Sequence, residues 1–138
     1  MTVLPNKACP VVLRRVSSGV ELLAFKHPLA GCQLVKGTVE TDENLPAACS
    51  RELFEESGII AETGRFIGAL EVGYDRQIWG FYNMLYDQPL PDTWDYFTQD
   101  GGGLLFSFFW LPLPAILNND WHHSTKNAIR FIEQNSDV

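Results

Sequence analysis

The chain has little cysteine, little positive charge and no long apolar run, and each shortage argues against a class of protein. Its three cysteines, Cys9, Cys32 and Cys49, are odd in number and lack a CxxC spacing. That fits reduced thiols better than a disulfide scaffold or a zinc site. Lysine and arginine number 10 against 17 acidic residues, for a formal net charge of −7. Proteins that hold polymeric nucleic acid usually carry a basic footprint, so no such partner is expected. No segment approaches the roughly 18 apolar residues of a membrane span, and Val11 to Leu13, behind Pro10, is too short for a targeting segment. A membrane is therefore not an expected partner, and the expected location is cytoplasmic. What remains is ordinary for a globular chain. With 46% apolar and 20% charged residues it should not be disordered, and 138 residues read as one domain, 1–138, able to bury a core.

The stretch Gly37 to Ile59, GTVETDENLPAACSRELFEESGI, stands out from this background with five glutamates: Glu40, Glu43, Glu52, Glu55 and Glu56. No Gly or Pro interrupts Ala47 to Ser57, Pro46 suits a first helical turn, and Gly58 suits a helix end, so this segment is expected to be a helix. At about 100° per residue, Glu55 and Glu56 fall roughly 60° and 40° to either side of Glu52. The three carboxylates then share a face, while Leu53 and Phe54 are expected to point toward a core. Like charges this close cost a few tenths of a kcal/mol per exposed pair. A hard cation such as Mg²⁺ or Mn²⁺ would turn that cost into a gain; the plain alternative is a solvated acidic face. Glu43 and Arg51 are spaced to pair across the junction between loop and helix. An acidic protein acting on a phosphate must also recruit positive charge, and a metal ion is one source.

These residues carry a resemblance. The pattern G-x5-E-x7-R-E-U-x-E-E-x-G-U, with U apolar, is the signature of the Nudix hydrolases. Gly37, Glu43, Arg51, Glu52, Leu53, Glu55, Glu56, Gly58 and Ile59 meet it at every position. The resemblance implies an α+β fold, the Nudix-type α/β/α sandwich with a mixed β-sheet between helices. It implies metal-dependent hydrolysis of a phosphoanhydride bond in a nucleoside diphosphate linked to another moiety, either a modified or surplus nucleoside triphosphate or a dinucleoside polyphosphate. In that reading Glu52, Glu55 and Glu56, with the Gly37 carbonyl, bind Mg²⁺ or Mn²⁺. Arg51 orients the glutamates, and Glu43 and Gly58 support the motif. The general base is either Glu52 or a later carboxylate, for which Glu71, Asp92, Asp95 and Asp100 are candidates. The alternative is a catalytically silent module that senses a nucleotide; such members commonly lose a glutamate, and none is missing here. The resemblance also leaves room for a homodimer.

Lys36, beside the glycine, is a candidate for a phosphate contact. Trp79, Phe81, Tyr82 and Trp94 are candidates for stacking on a base, although strand aromatics more often belong to a core. Tyr74 lies near a position that distinguishes branches of the family. His122-His123 reads as a solvated pair, since adjacent helical residues do not face each other. Strands are expected over Ala8 to Arg15, Val20 to Lys26, Gln33 to Gly37, Thr38 to Glu40, Phe66 to Val72, Arg76 to Tyr86 and Leu104 to Leu111. Asp87 to Gly103, rich in Pro and Gly, reads as a long mobile loop, Ala115 to Asn119 as a helical turn, and His123 to Asn135 as a helix.

Overall fold

Burial on both faces of the central strands shows how the chain is layered. A computed structural model describes residues 4–99 and 102–137. Strand β1 (Lys7–Val11) ends just before Val12, whose carbonyl accepts the Leu23 N–H, and the chain continues as β2 (Leu13–Val16) in a second sheet. The single strand expected from Ala8 to Arg15 is thus two, divided where the chain changes sheets. The remaining elements are β3 (Gly19–His27), β4 (Gly31–Gln33), β5 (Gly37–Thr38), α1 (Leu45–Ser57), β6 (Glu62–Glu71), β7 (Ile78–Leu85), β8 (Trp94–Thr98), β9 (Leu104–Leu113) and α2 (His123–Asn135).

The first sheet has the order β5-β1-β7-β6, with β1 and β7 parallel and its other pairs antiparallel. The second has the order β2-β3-β9-β8, with β4 also paired to β3. Successive side chains of a strand face opposite sides, and here they feed two cores. Cys9 and Val11, Leu22 and Ala24, Trp79 and Phe81 pack with Ala128, Ile129 and Ile132 of α2. Ala8 and Val12, Leu23 and Phe25, Phe106 and Phe108 pack with Ala48, Cys49 and Leu53 of α1. Both sheets therefore contribute to both cores, and the two helices lie on opposite faces of one β layer. The expected sandwich is present, its middle layer built from a mixed sheet and an antiparallel one.

Further local expectations need correction. The strand expected over Gln33 to Gly37 is absent: β4 ends at Gln33, β5 begins at Gly37, and Leu34 to Lys36 belong to no strand. Asp87 to Gly103 is not all loop: Trp94–Thr98 forms β8, antiparallel to β9 and aligned Trp94 to Phe108 through Thr98 to Leu104. The prolines before it and the glycines after it masked a short alternating strand. Ala115 to Asn119 contains no helix. Phe54 does not join the core: it is 49% exposed, whereas Leu53 is fully buried. The acidic face turns inward at Glu52 and Glu56, and this rotates Phe54 toward solvent.

That orientation is testable. Leu53→Ala should lower the unfolding free energy by about 2–5 kcal/mol, whereas Phe54→Ala should change it by less than about 1 kcal/mol. Urea titrations of the two variants measure both, and equal costs would contradict this helix orientation.

Candidate active site

The acidic helix is defined at both ends by its own sequence. Asn44 is the N-cap, its side-chain oxygen accepting the Ala47 N–H at 2.8 Å, and Pro46 sits in the first turn, where no donor is lost. Gly58 closes the helix in the left-handed conformation, φ 80°, its N–H bonded to the Phe54 carbonyl. A Cβ there would strike the Tyr96 ring, so glycine serves both the backbone and the contact with β8.

Arg51 gathers the motif around one guanidinium. Its Nε and Nη2 donate to the two Glu43 oxygens at 2.7 and 2.8 Å, a bidentate pair. Nη2 also reaches the Thr38 carbonyl at 3.0 Å. Nη1 donates to Glu52 Oε1 at 2.7 Å and lies 3.3 Å from Glu55 Oε2, with Glu40 at 3.7 Å. The loop from Thr38 to Glu43 is thereby tied to the helix that carries the glutamates. Glu43 accepts the Glu40 N–H as well, and Arg51 first, then that bond, hold its carboxyl down to about 2 from an ordinary 4.5. Its hydrogen bonds to Glu43 and then Glu52, against the cost of burial, raise the Arg51 guanidinium above its usual range, so it stays charged.

Glu52 and Glu56 are each only 7% exposed, rare for carboxylates, while Glu55 is open to solvent. Gly37 lies directly against the Glu52 carboxylate; a Cβ added to it would overlap the Glu52 carboxyl group. The donors brought together are hard oxygens, two nearly buried carboxylates and the backbone of Gly37, the type preferred by Mg²⁺ and Mn²⁺. Among the described residues no three Cys, His, Asp or Glu side chains converge as a closed cage. Mg²⁺ is commonly held by one or two carboxylates plus water and substrate phosphates, which this open arrangement matches. The site therefore fits a hard divalent cation.

The other candidates are distributed unevenly. Asp92 is paired with Arg14 at 2.9 Å, and that guanidinium also binds Glu21 and lies over the Trp110 ring. Asp95 is exposed on the face of β8 opposite Trp94 and Tyr96, the two that pack with α1. Glu71 is exposed at the end of β6, and Asp100 lies outside the described residues. Trp94 donates its indole N–H to the Ser57 carbonyl and stacks on Phe108, pinning the end of α1 to the second sheet. Trp79 and Phe81 are fully buried, and Tyr82 packs against Phe66.

Lys36 is close to the acidic face. Its Nζ lies 5.6 Å above the Trp79 ring. Burial, then the charge of Lys7, holds its ammonium below the usual range, while Glu56, Cys9 and Glu52 pull the other way. Lys7, which sequence reasoning missed, is half-buried and donates to Thr38 Oγ1 at 2.7 Å. Only the strand register that sets Lys7 beside Thr38 and Trp79 could have revealed it. His122 and His123 do meet, with ring centroids 4.3 Å apart, because His122 is the N-cap of α2 rather than a helical residue. Tyr74, exposed, stands edge-on to His122 at 4.7 Å. The three cysteines are free, and burial pushes the Cys49 thiol up to about 12, which removes it as a nucleophile at neutral pH.

The Glu43–Arg51 pair has a pH signature. A carboxyl held below its ordinary value adds stability that is present above about pH 4.5 and lost as the pH falls toward 2. The gap in urea midpoint between wild type and Glu43→Gln should therefore be constant at neutral pH and close in that acid window. Glu40, Glu52 and Glu55 share the same guanidinium in both proteins, so the gap isolates Glu43. A gap that does not change with pH would mean that the pair adds nothing through ionisation.

The chain matches the NUDIX domain family over residues 5–130. No curated protein matches it. Among solved structures it is similar to a MutT NUDIX hydrolase from Burkholderia pseudomallei, with TM-score 0.65 and 17% identity over 94% of this chain and 99% of that one. It is similar to the MutT protein from Methanosarcina mazei Go1, with TM-score 0.63 and 18% identity over 99% and 100% of the two chains. A binary complex of a C. elegans Ap4A hydrolase gives TM-score 0.62 and 18% identity over 95% and 96%. At these identities the likeness speaks for the fold, and the family match extends it to nearly the whole length. With the two sheets, the two helices and the motif helix in place, the chain belongs to the NUDIX family and has the fold of its hydrolases.

Proposed function

We propose that this chain is a metal-dependent pyrophosphohydrolase that cuts a phosphoanhydride bond in a nucleoside diphosphate linked to another moiety. Its substrate is a modified or surplus nucleoside triphosphate or a dinucleoside polyphosphate. The observation that carries the reading is the pair of nearly buried carboxylates, Glu52 and Glu56, on one helix face beside the Gly37 backbone. Burying two like charges is costly unless something compensates them. Arg51 compensates the charge of Glu52, and carboxylate oxygens are the donors a hard cation prefers. We assign Glu52, Glu55 and Glu56, with the Gly37 carbonyl, to hold Mg²⁺ or Mn²⁺. Such an ion, when bound, neutralises charge on the phosphates and lowers the pKa of water.

The chain's own groups supply the remainder of the chemistry. A water oxygen bonds to phosphorus, the bridging P–O bond breaks, and the leaving phosphate departs with the bridging oxygen. We assign the water's proton to Glu52: Asp92 is engaged by Arg14 and Asp95 faces away from α1. Arg51 acts as a positioning residue that holds Glu52 and the Thr38–Glu43 loop together. Lys36 stands where it can meet a phosphate, and Gly58 and Glu43 keep the helix and loop in shape. Trp94 serves the α1–β8 junction in this reading rather than a base. Among the described residues no helix is long and apolar enough to cross a membrane. We place the enzyme in the cytoplasm on its free thiols.

The direct test is product release from nucleoside triphosphates (oxidised ones included), dinucleoside polyphosphates, ADP-ribose, NADH and nucleotide sugars with Mg²⁺ or Mn²⁺. One class should turn over, and EDTA should abolish it. Glu56→Gln should lower kcat/KM by about 100-fold or more, the loss of several kcal/mol of transition-state stabilisation. Binding without turnover across the panel would favour a nucleotide-sensing module instead. Gly37→Ala should fold, by circular dichroism, yet lose about 100-fold in rate, because its methyl displaces the Glu52 carboxylate. Wild-type rates in that variant would remove Glu52 from the site.

A further inference from the structure

The first sheet ends at β5, and charges of both signs meet at this edge. On the α1 side, Arg51 holds Glu43 and Glu52 and bonds the Thr38 carbonyl. From β1, Lys7 bonds the Thr38 hydroxyl. Register puts Lys7 level with Thr38 on one neighbour and with Trp79 on the other. Lys7 shares strand parity with Cys9 and Val11, so it projects toward the α2 side, where Trp79 also packs. Lys36, one residue before Gly37, places its Nζ over the same Trp79 ring. The two lysines thus lie beside Thr38 and Trp79 at this edge, and Lys36 also stands close to the acidic face.

Among the described residues neither lysine forms an ion pair with a carboxylate. An ammonium carries three donors, and Lys7 commits one to Thr38. Two partly buried cations repel each other, and the opposite charges acting on Lys36 are those of Glu56 and Glu52. A group with several anionic oxygens would satisfy both at once through charge-assisted hydrogen bonds. Trp79 is fully buried, so its ring is a wall behind the cations rather than a stacking surface.

We propose that Lys7 and Lys36 form a phosphate subsite that reads the length of the substrate's phosphate chain. The reading rests on the hydrolase assignment above and narrows its substrate class. The anhydride to be cut lies at the glutamates, and a further phosphate reaches the two lysines at the β5 edge. Substrates with three or more phosphates reach both places; a diphosphate joined to a sugar presents no further phosphate to the lysines. Lys7 is thus a specificity residue for nucleoside triphosphates or dinucleoside polyphosphates.

Steady-state kinetics of Lys7→Met and Lys7→Arg would test this with a nucleoside triphosphate, a dinucleoside tetraphosphate and ADP-ribose. Methionine keeps the aliphatic stem, so the strand is preserved. Lys7→Met should raise KM about tenfold for the two longer chains, the loss of about one charge-assisted hydrogen bond, with kcat little changed. Arginine should restore most of the loss, and any ADP-ribose turnover should be unaffected. Equal effects on long and short chains, or no effect on either, would overturn the proposal. A second arm needs no turnover. By calorimetry in EDTA, inorganic tripolyphosphate should bind wild type more tightly than inorganic pyrophosphate, and Lys7→Met or Lys36→Met should erase the difference. If wild type hydrolyses nothing on the panel, the hydrolase reading falls, while the calorimetry still decides the lysine pair. Equal binding of the two anions by wild type would overturn the pair itself.

Discussion

The structure of the site depends on one guanidinium. Arg51 touches the loop at Thr38 and Glu43 and the helix at Glu52 and Glu55, so it sets the distance between the Gly37 backbone and the acidic face. A single exposed ion pair is worth little, with a median of about 0–1 kcal/mol. This one is different in kind: it is bidentate, partly buried and shared among several carboxylates whose mutual repulsion would otherwise open the face. The same contacts engage one oxygen of Glu52 and leave the rest of the face to the remaining carboxylates. The planar fork of arginine suits this branching, and a lysine with one point charge does not.

The helix that carries Arg51 must serve the core and the site together. Ala48, Cys49 and Leu53 are fully buried under the second core, and this fixes the helix rotation. At 3.6 residues per turn, Glu52 and Glu56 then have no freedom to turn outward, while Glu55 stays open to solvent. Glu52 and Glu56 are forced inward at the margin of the core, where solvent is scarce and electrostatic interactions are stronger. Asn44 and Gly58 set the two ends of the helix, so a register slip would lose both caps as well as the Leu53 contact. Packing thus positions the chemistry, and the hydrogen bonds of Arg51 refine it.

Much of this was legible in the chain because the motif is local. The helix limits near Pro46 and Gly58, the shared face of Glu52, Glu55 and Glu56, and the Glu43–Arg51 pairing follow from spacing along a few turns. His123 to Asn135 was legible as a helix because Ala128, Ile129 and Ile132 recur at helical spacing. What spacing misses is what depends on partners distant in sequence. The division of Ala8 to Arg15 at Val12 requires knowing that Leu23 claims the Val12 carbonyl. β8 was hidden by its flanking Pro and Gly, since its evidence is the pairing with β9. Phe54 misled because an apolar residue beside Leu53 reads as core, although the inward turn of two carboxylates leaves it outside. Lys7 carries no local signal at all; its meaning comes from its neighbours at Thr38 and Trp79.

The same distinction bears on how specificity arises in such a fold. The motif is self-contained: its glutamates, its arginine and its glycine lie in one segment, to which the proposal assigns the reaction. Under that proposal the groups that meet the rest of a substrate come from β1 and from the segment before Gly37. β1 is held against the motif chiefly by its pairing with β5 and β7. A substitution on β1 can therefore change what is bound without disturbing the carboxylates, because Thr38 joins the two sets through different atoms, its carbonyl to Arg51 and its hydroxyl to Lys7. The carbonyl contact survives any residue at position 38, but the hydroxyl contact does not. Charge at Lys7 can thus change without disturbing the Arg51 contacts, which under the proposal lets one hydrolytic centre serve phosphate chains of different length.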